Sequence, residues 1–165
     1  MKFNQIKMAV YIFKETQKLR HLLVWEFIFI SIALILFKFI SSKYDFVPQQ
    51  IWIPIGIFFV VVLLLLSIKM KVIIDQKQLK YKYIPFIINW RIIALREIDE
   101  MELISYNSLM EFGGWGIRYN FSYWLYNTGG KHGIKVTSGK KKFILGTYKP
   151  DDASKAIAQF KSTKN

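Results

Sequence analysis

Two long apolar runs constrain this chain more than any other feature. Residues 22–40 are interrupted only by Glu26 and Lys38, and residues 51–68 carry no charge at all. At about 1.5 Å per residue each run covers roughly 27–28 Å, close to the hydrocarbon thickness of a bilayer. Burying such a helical pair inside a water-soluble protein would need polar helices around it, and the rest of the sequence supplies none. The expectation is a transmembrane helical hairpin with spans 22–40 and 51–68 and an outside loop at 41–50. A cleaved signal sequence fits less well, because a signal core of roughly 7–15 apolar residues ends in a small-x-small site, whereas this longer core ends Phe39-Ile40-Ser41-Ser42.

Charge sets the expected orientation. The chain is 53% hydrophobic and only 21% charged, yet its net charge is +13. Residues 1–21, a basic N-terminal segment, carry Lys2, Lys7, Lys14, Lys18 and Arg20, and the stretch after the second run opens Lys69-Met70-Lys71. The connector has only Lys43 against Asp45. Basic flanks stay inside, which predicts a multi-pass protein of the cell membrane with cytoplasmic N- and C-termini. Trp25 and Trp52 would then lie at opposite interfaces, Tyr44 and Phe46 on the outer side, Glu26 near Lys69 in depth, and Lys38 would snorkel outward.

Residues 69–165 form the expected cytoplasmic domain. Val72–Asp75 and Leu79–Ile84 flank a polar turn, and the second run alternates apolar and basic residues with period two, which reads as a hairpin. Ile87–Leu95 leads into the acidic Glu97, Asp99, Glu100 and Glu102. Glycine-rich turns then separate candidate strands at Ile117–Leu125, Ile134–Thr137 and Lys142–Leu145. After Pro150, Asp151-Asp152 suits a helix N-terminus, and Ala153, Ile157 and Phe160 share one face of a closing helix. The fold class expected is a membrane α-helical hairpin plus a mainly-β barrel with a C-terminal α-helix.

The order of elements carries a family resemblance. Two apolar runs, V-I-I-D, L-K-Y-K-Y-I-P, G-G-W-G-I-R at 113–118, G-I-K-V-T, and F-I-L-G-T-Y-K-P-D-D ahead of the helix together resemble bacterial two-span membrane proteins with a cytoplasmic pleckstrin-homology-like domain. F-K-E-T-Q-K-L-R at 13–20 is similar to their approach to the first span. The resemblance implies a seven-strand barrel with a C-terminal helix and a role in binding or scaffolding. It carries over no catalytic residue.

Catalytic readings find little support. With no cysteine there is no thiol nucleophile or Cys-based metal site, and no cofactor is expected. Ser138 and Lys141 have the S-x-x-K spacing of Ser–Lys hydrolases, but in an expected hairpin tip, where water keeps the lysine protonated. Gly114-Trp115-Gly116 begins a G-x-G-x-x-G whose last position is Tyr119, and no strand-to-helix switch follows. His132 is a lone loop histidine, and residues 97–102 lack the pattern of a calcium loop.

Binding is the more promising chemistry. Lys69, Lys71, Lys80, Lys82, Lys140, Lys141 and Lys142 form a basic set that would be attracted to anionic lipid headgroups. Trp115 and Arg118 add a tryptophan among glycines and a guanidinium able to grip a carboxylate or phosphate, though packing of Trp115 and pairing of Arg118 with the acids at 97–102 is the expected arrangement. The function expected is an integral membrane protein presenting this domain to anionic lipid or to a membrane-protein partner; a homo-oligomer also fits. The alternative is a structural subunit of a larger membrane complex assembled through the apolar helices. Nucleic acid is not an expected partner, since basic charge alone is no base-reading surface.

Overall fold

The structure is a computed structural model that describes residues 11–19, 22–41 and 48–164, without the side chains of 11, 22–24, 27, 38–39 and 48–52. In chain order it contains β1 (Tyr11–Lys18), α1 (Leu22–Ser41), α2 (Pro48–Ser67), β2 (Lys69–Asp75), β3 (Gln78–Ile84), β4 (Ile87–Ala94), a 3-10 turn at Leu95–Glu97, β5 (Glu100–Ser105), α3 (Ser108–Phe112), β6 (Gly116–Tyr119), β7 (Trp124–Asn127), β8 (His132–Ser138), β9 (Lys141–Thr147) and α4 (Pro150–Lys164).

The nine strands form two sheets rather than a barrel. The first is the antiparallel meander β1-β2-β3-β4, and the second has the order β5-β8-β9-β7-β6. Strict alternation explains the first sheet: Met70, Val72 and Ile74 on β2 and Leu79, Tyr81 and Tyr83 on β3 point inward and are buried. They meet Met101, Ile134, Val136, Phe143 and Leu145 of the second sheet in one core. Helix α4 starts on Pro150 with Asp151 and Asp152 in its first turn, both favourable at a helix N-terminus. It buries Ala153, Ala156, Ile157 and Phe160, the i, i+3, i+4, i+7 stripe of an amphipathic helix, into that core.

Two local differences from expectation concern strands. No strand is expected at 11–18, yet β1 pairs with β2 over its whole length, Lys18 opposite Lys69 and Thr16 opposite Lys71. The chain thus leaves the sheet at Lys18, makes α1 and α2, and re-joins beside its point of departure, where Leu19 N–H donates to the Ile68 carbonyl at 3.4 Å. The single strand expected at 117–125 is broken. An Asx turn at Asn120, whose Oδ1 accepts from the N–H groups of Ser122 and Tyr123, folds it into the β6–β7 hairpin. β7 then runs parallel to β9, with Trp124 opposite Phe143.

The larger correction concerns the membrane. Helices α1 and α2 occupy the two apolar runs, but among the described residues no helix is long and apolar enough to cross a membrane. The expected transmembrane hairpin is therefore corrected to nine strands in two sheets with a C-terminal helix, and what was drawn from it goes too. That covers the multi-pass cell-membrane placement with cytoplasmic termini, the integral membrane function, and the alternative of a subunit assembled through spans. The expectations for Lys2, Lys7, Arg20, Lys43, Tyr44, Asp45 and Phe46, and for the side chains of Lys38 and Trp52, lie outside the described residues.

Candidate functional site

The outer face of the first sheet gathers charge of one sign. Because inward positions alternate with outward ones, Lys14, Thr16 and Lys18 of β1, Lys69, Lys71 and Ile73 of β2, and Lys80, Lys82 and Ile84 of β3 all lie on it. Register orders them into rows. Lys14, Ile73, Lys80 and Ile92 form one; Thr16, Lys71 and Lys82 form the next; Lys18, Lys69 and Ile84 form the third. Lys71 is thus directly opposite Lys82, and Lys18 directly opposite Lys69. Like charges facing across an antiparallel pair destabilise it by about 0.2–1 kcal/mol.

One carboxylate borders this face. Asp75 Oδ2 lies 3.3 Å from Lys80 Nζ, and its Oδ1 accepts from the N–H groups of Lys77 and Gln78 at 2.9 Å each. Burial pushes the Asp75 carboxyl upward, but those N–H groups and the Lys80 ammonium outweigh it and leave the group below its ordinary value. Asp75 is thereby committed to the β2–β3 turn and to Lys80, at the end of the sheet away from Lys18 and Lys69.

Along the free edge the basic face gives way to apolar side chains. β4 is an edge strand, and Phe86, Ile88, Trp90 and Ile92 are exposed there. Lys82 Nζ sits 4.8 Å from the centre of the Trp90 ring, a cation–π contact that joins the two parts. Tyr83 faces the other way. Its hydroxyl donates to the Asn127 carbonyl at 2.9 Å, and burial pushes its pKa up to about 12.

The nine residues singled out in the sequence fall into three places. Lys69, Lys71, Lys80 and Lys82 come together on the face just described. Lys140, Lys141 and Lys142 lie at the β8–β9 turn of the other sheet, exposed, with Lys142 Nζ 6.0 Å from the Tyr123 ring. Trp115 and Arg118 belong to the approach to β6 and to β6 itself. Trp115 is half-buried against a small cavity of about 420 Å³ shared with Tyr106, Ser108 and Lys131. Arg118 Nε donates to the Trp115 carbonyl at 3.1 Å, not to the acids at 97–102. Of those acids Glu102 pairs with Lys135 at 3.3 Å, and Asp99 accepts from the Gly139 N–H at 2.6 Å.

Lys14, Lys18 and the β4 edge were missed as parts of a site. The available signal was the period-two pattern Phe13, Glu15, Gln17 against Lys14, Thr16, Lys18. It is masked because two inward residues are polar: buried Glu15 accepts from Thr147 Oγ1 at 2.7 Å and from Tyr148 N–H at 2.9 Å, and Gln17 Nε2 donates to the Gly146 carbonyl at 2.6 Å. Among the other candidates, Ser138 Oγ donates to the Glu97 carbonyl at 2.6 Å, and His132 Nδ1 lies 3.0 Å from Ser105 Oγ. Among the described residues no group of His, Asp or Glu could hold a metal ion. Comparison with protein-family models, curated proteins and solved structures finds no match to this chain.

Proposed function

We propose that the chain is a binding module without catalytic activity that docks the outer face of its first sheet onto anionic lipid headgroups. The observation that carries this is the pair of opposed lysine couples, Lys18 with Lys69 and Lys71 with Lys82. Four cations held in facing positions weaken the sheet in isolation, and an external anion would relieve them. Each lysine close to an anionic leaflet gains on the order of 1 kcal/mol, so Lys14, Lys18, Lys69, Lys71, Lys80 and Lys82 together supply roughly 6 kcal/mol before ordering costs.

The apolar rim favours lipid among polyanions. Phe86, Ile88, Trp90 and Ile92 stand beside the lysines, the combination that suits a headgroup–acyl boundary. Support for a non-catalytic reading comes from the S-x-x-K pair: the Ser138 hydroxyl donates to a backbone carbonyl and Lys141 is exposed, so the serine has no desolvated base.

The test uses Lys71→Glu in the full chain. It replaces a repulsive couple by a Glu–Lys82 pair, so the unfolding midpoint should hold or rise. Flotation with phosphatidylglycerol-containing vesicles, measured relative to pure phosphatidylcholine vesicles, should nevertheless fall by about 30-fold, since two units of charge, about 2 kcal/mol, are lost from the face. Raising salt from about 0.1 M to about 1 M, which shortens the screening length from about 10 Å to about 3 Å, should erase most of the wild-type preference. Equal binding to both vesicle types, or an unchanged preference in Lys71→Glu, would overturn the proposal.

A further inference from the structure

The far end of the second sheet carries a different amphiphilic feature. Because β7 runs parallel to β9, the β6–β7 tip at 120–123 and the β8–β9 tip at 139–140 project from the same end. The first tip reads Arg118-Tyr-Asn-Phe-Ser-Tyr-Trp124 and the second Lys140-Lys-Lys142, and neither contains an acid. Lys142 Nζ and Lys135 Nζ approach the Tyr123 ring to 6.0 Å and 5.5 Å, placing cations beside the aromatic tip. Two acids stand near this end, both engaged: the Asp99 carboxylate accepts from the Gly139 N–H, and Glu102 pairs with Lys135 at 3.3 Å.

Phe121 is the unusual member. It is 92% exposed and sits at φ 64°, a left-handed conformation in which a bulky residue is an outlier. The tip is nonetheless well braced. Asn120 Oδ1 accepts from Ser122 N–H and Tyr123 N–H, Tyr119 hydroxyl donates to the Phe121 carbonyl at 3.0 Å, and the Tyr119 and Trp124 rings stack with centroids 4.9 Å apart. A turn that needed only the left-handed geometry would be better served by Asn or Gly. The phenyl ring makes a tilted contact with the Tyr119 ring, centroids 6.0 Å apart, yet leaves 92% of its surface exposed, with the Tyr119–Trp124 pair and a lysine triplet behind it.

We infer that this tip is an aromatic anchor: Phe121 enters the interfacial layer of an anionic bilayer while Lys140, Lys141 and Lys142 meet the headgroups around it. Charge complementarity points to an anionic surface, and a rigid ring projected beyond a ring of amphipathic Tyr and Trp points to lipid, where such residues settle at headgroup depth. The inference rests on the lipid reading given above but concerns a site on the other sheet, so either can fail alone.

The absence of cysteine permits a local probe. Ser122→Cys in the full chain, labelled with an environment-sensitive fluorophore, keeps Phe121 in place. With phosphatidylglycerol-containing vesicles the label should shift to the blue and be quenched by nitroxides attached at shallow lipid depth; with pure phosphatidylcholine vesicles the shift should be several-fold smaller. Adding Phe121→Asn, a residue that accepts the left-handed turn, should abolish the shift while circular dichroism and the unfolding midpoint are unchanged or improved. A label that stays aqueous while the protein still floats with anionic vesicles overturns the anchor and leaves the basic face standing. A shift that survives Phe121→Asn overturns it too. A shift dependent on Phe121 but indifferent to Lys71→Glu supports the anchor and counts against the basic face.

Discussion

Asn127 is the polar keystone of the second sheet, and its replacement by leucine tests how the β6–β7 hairpin and α3 are held. The side chain is fully buried, with Nδ2 donating to Tyr106 Oη at 3.1 Å and to Ser108 Oγ at 2.9 Å, while Oδ1 accepts from Gly116 N–H at 2.9 Å. Leucine keeps the branching at Cγ but is bulkier, so no cavity forms and some overpacking adds to the lost hydrogen bonds. The two hydroxyls can rotate to other partners, but the Gly116 N–H cannot, and an orphaned buried donor costs about 1–3 kcal/mol. With the net loss of two further bonds at about 1 kcal/mol each, the expected destabilisation is about 3–5 kcal/mol.

Urea unfolding followed by tryptophan fluorescence should show it as a midpoint lowered by about 1–5 M at unchanged slope, for slopes of about 1–3 kcal/mol per molar. A cycle with Tyr106→Phe separates the mechanism from general damage. Because Tyr106 and Asn127 share one hydrogen bond, the double variant should lose less than the sum of the singles by at least about 0.5 kcal/mol. A loss below about 1 kcal/mol in Asn127→Leu, or strict additivity with Tyr106→Phe, would refute the idea that this network clamps the hairpin.

Two other perturbations follow from the same structure. Phe160, buried where α4 meets both sheets, should cost about 3–5 kcal/mol when cut to alanine, and thermal unfolding that drops by only a degree or two would show that α4 does not close the core. Asp75 has a folded-state pKa held below the unfolded value, so its contribution is present above about pH 4 and is lost as the pH falls through the folded value; wild type should therefore lose stability faster than Asp75→Asn below about pH 4, and parallel curves for the two would contradict this.

What could be read in advance divides along physical lines. The β2–β3 hairpin was legible because its inward residues, Met70 to Ile74 and Leu79 to Tyr83, are all apolar and so display the period of a strand. The stripe of α4 was legible for the corresponding reason. β1 was not, because Glu15 and Gln17 point inward to partners more than a hundred residues away, and no local pattern announces Thr147, Gly146 or Thr128. The turn at Asn120–Tyr123 was also hidden, since it contains no glycine and places a phenylalanine at positive φ. Apolar length marked where α1 and α2 form; it did not determine what lies against them. Of the candidate site, lysine content was visible but the opposed couples were not, because cross-strand neighbours depend on register.

Register also explains why one partner can satisfy two demands at once. The chain departs for α1 at Lys18 and returns from α2 at Lys69, so the exposed apolar helices spring from the corner of the basic face. A nucleic acid could neutralise the lysines but would leave Phe86, Ile88 and Ile92 in water. An acidic protein could cover both regions only through a surface matched to each. A headgroup layer with acyl chains beneath it meets cations and apolar side chains together without shape matching, and its attraction to the lysines falls off over about 10 Å at 0.1 M salt. If the proposed docking holds, a lysine couple as unfavourable as Lys71 with Lys82 is tolerable in the sheet, and binding that favours only the folded chain adds its own free energy to stability. Anionic vesicles that bind the face should therefore raise the unfolding midpoint of wild type more than that of Lys71→Glu, since only the wild-type couple has a repulsion left to relieve.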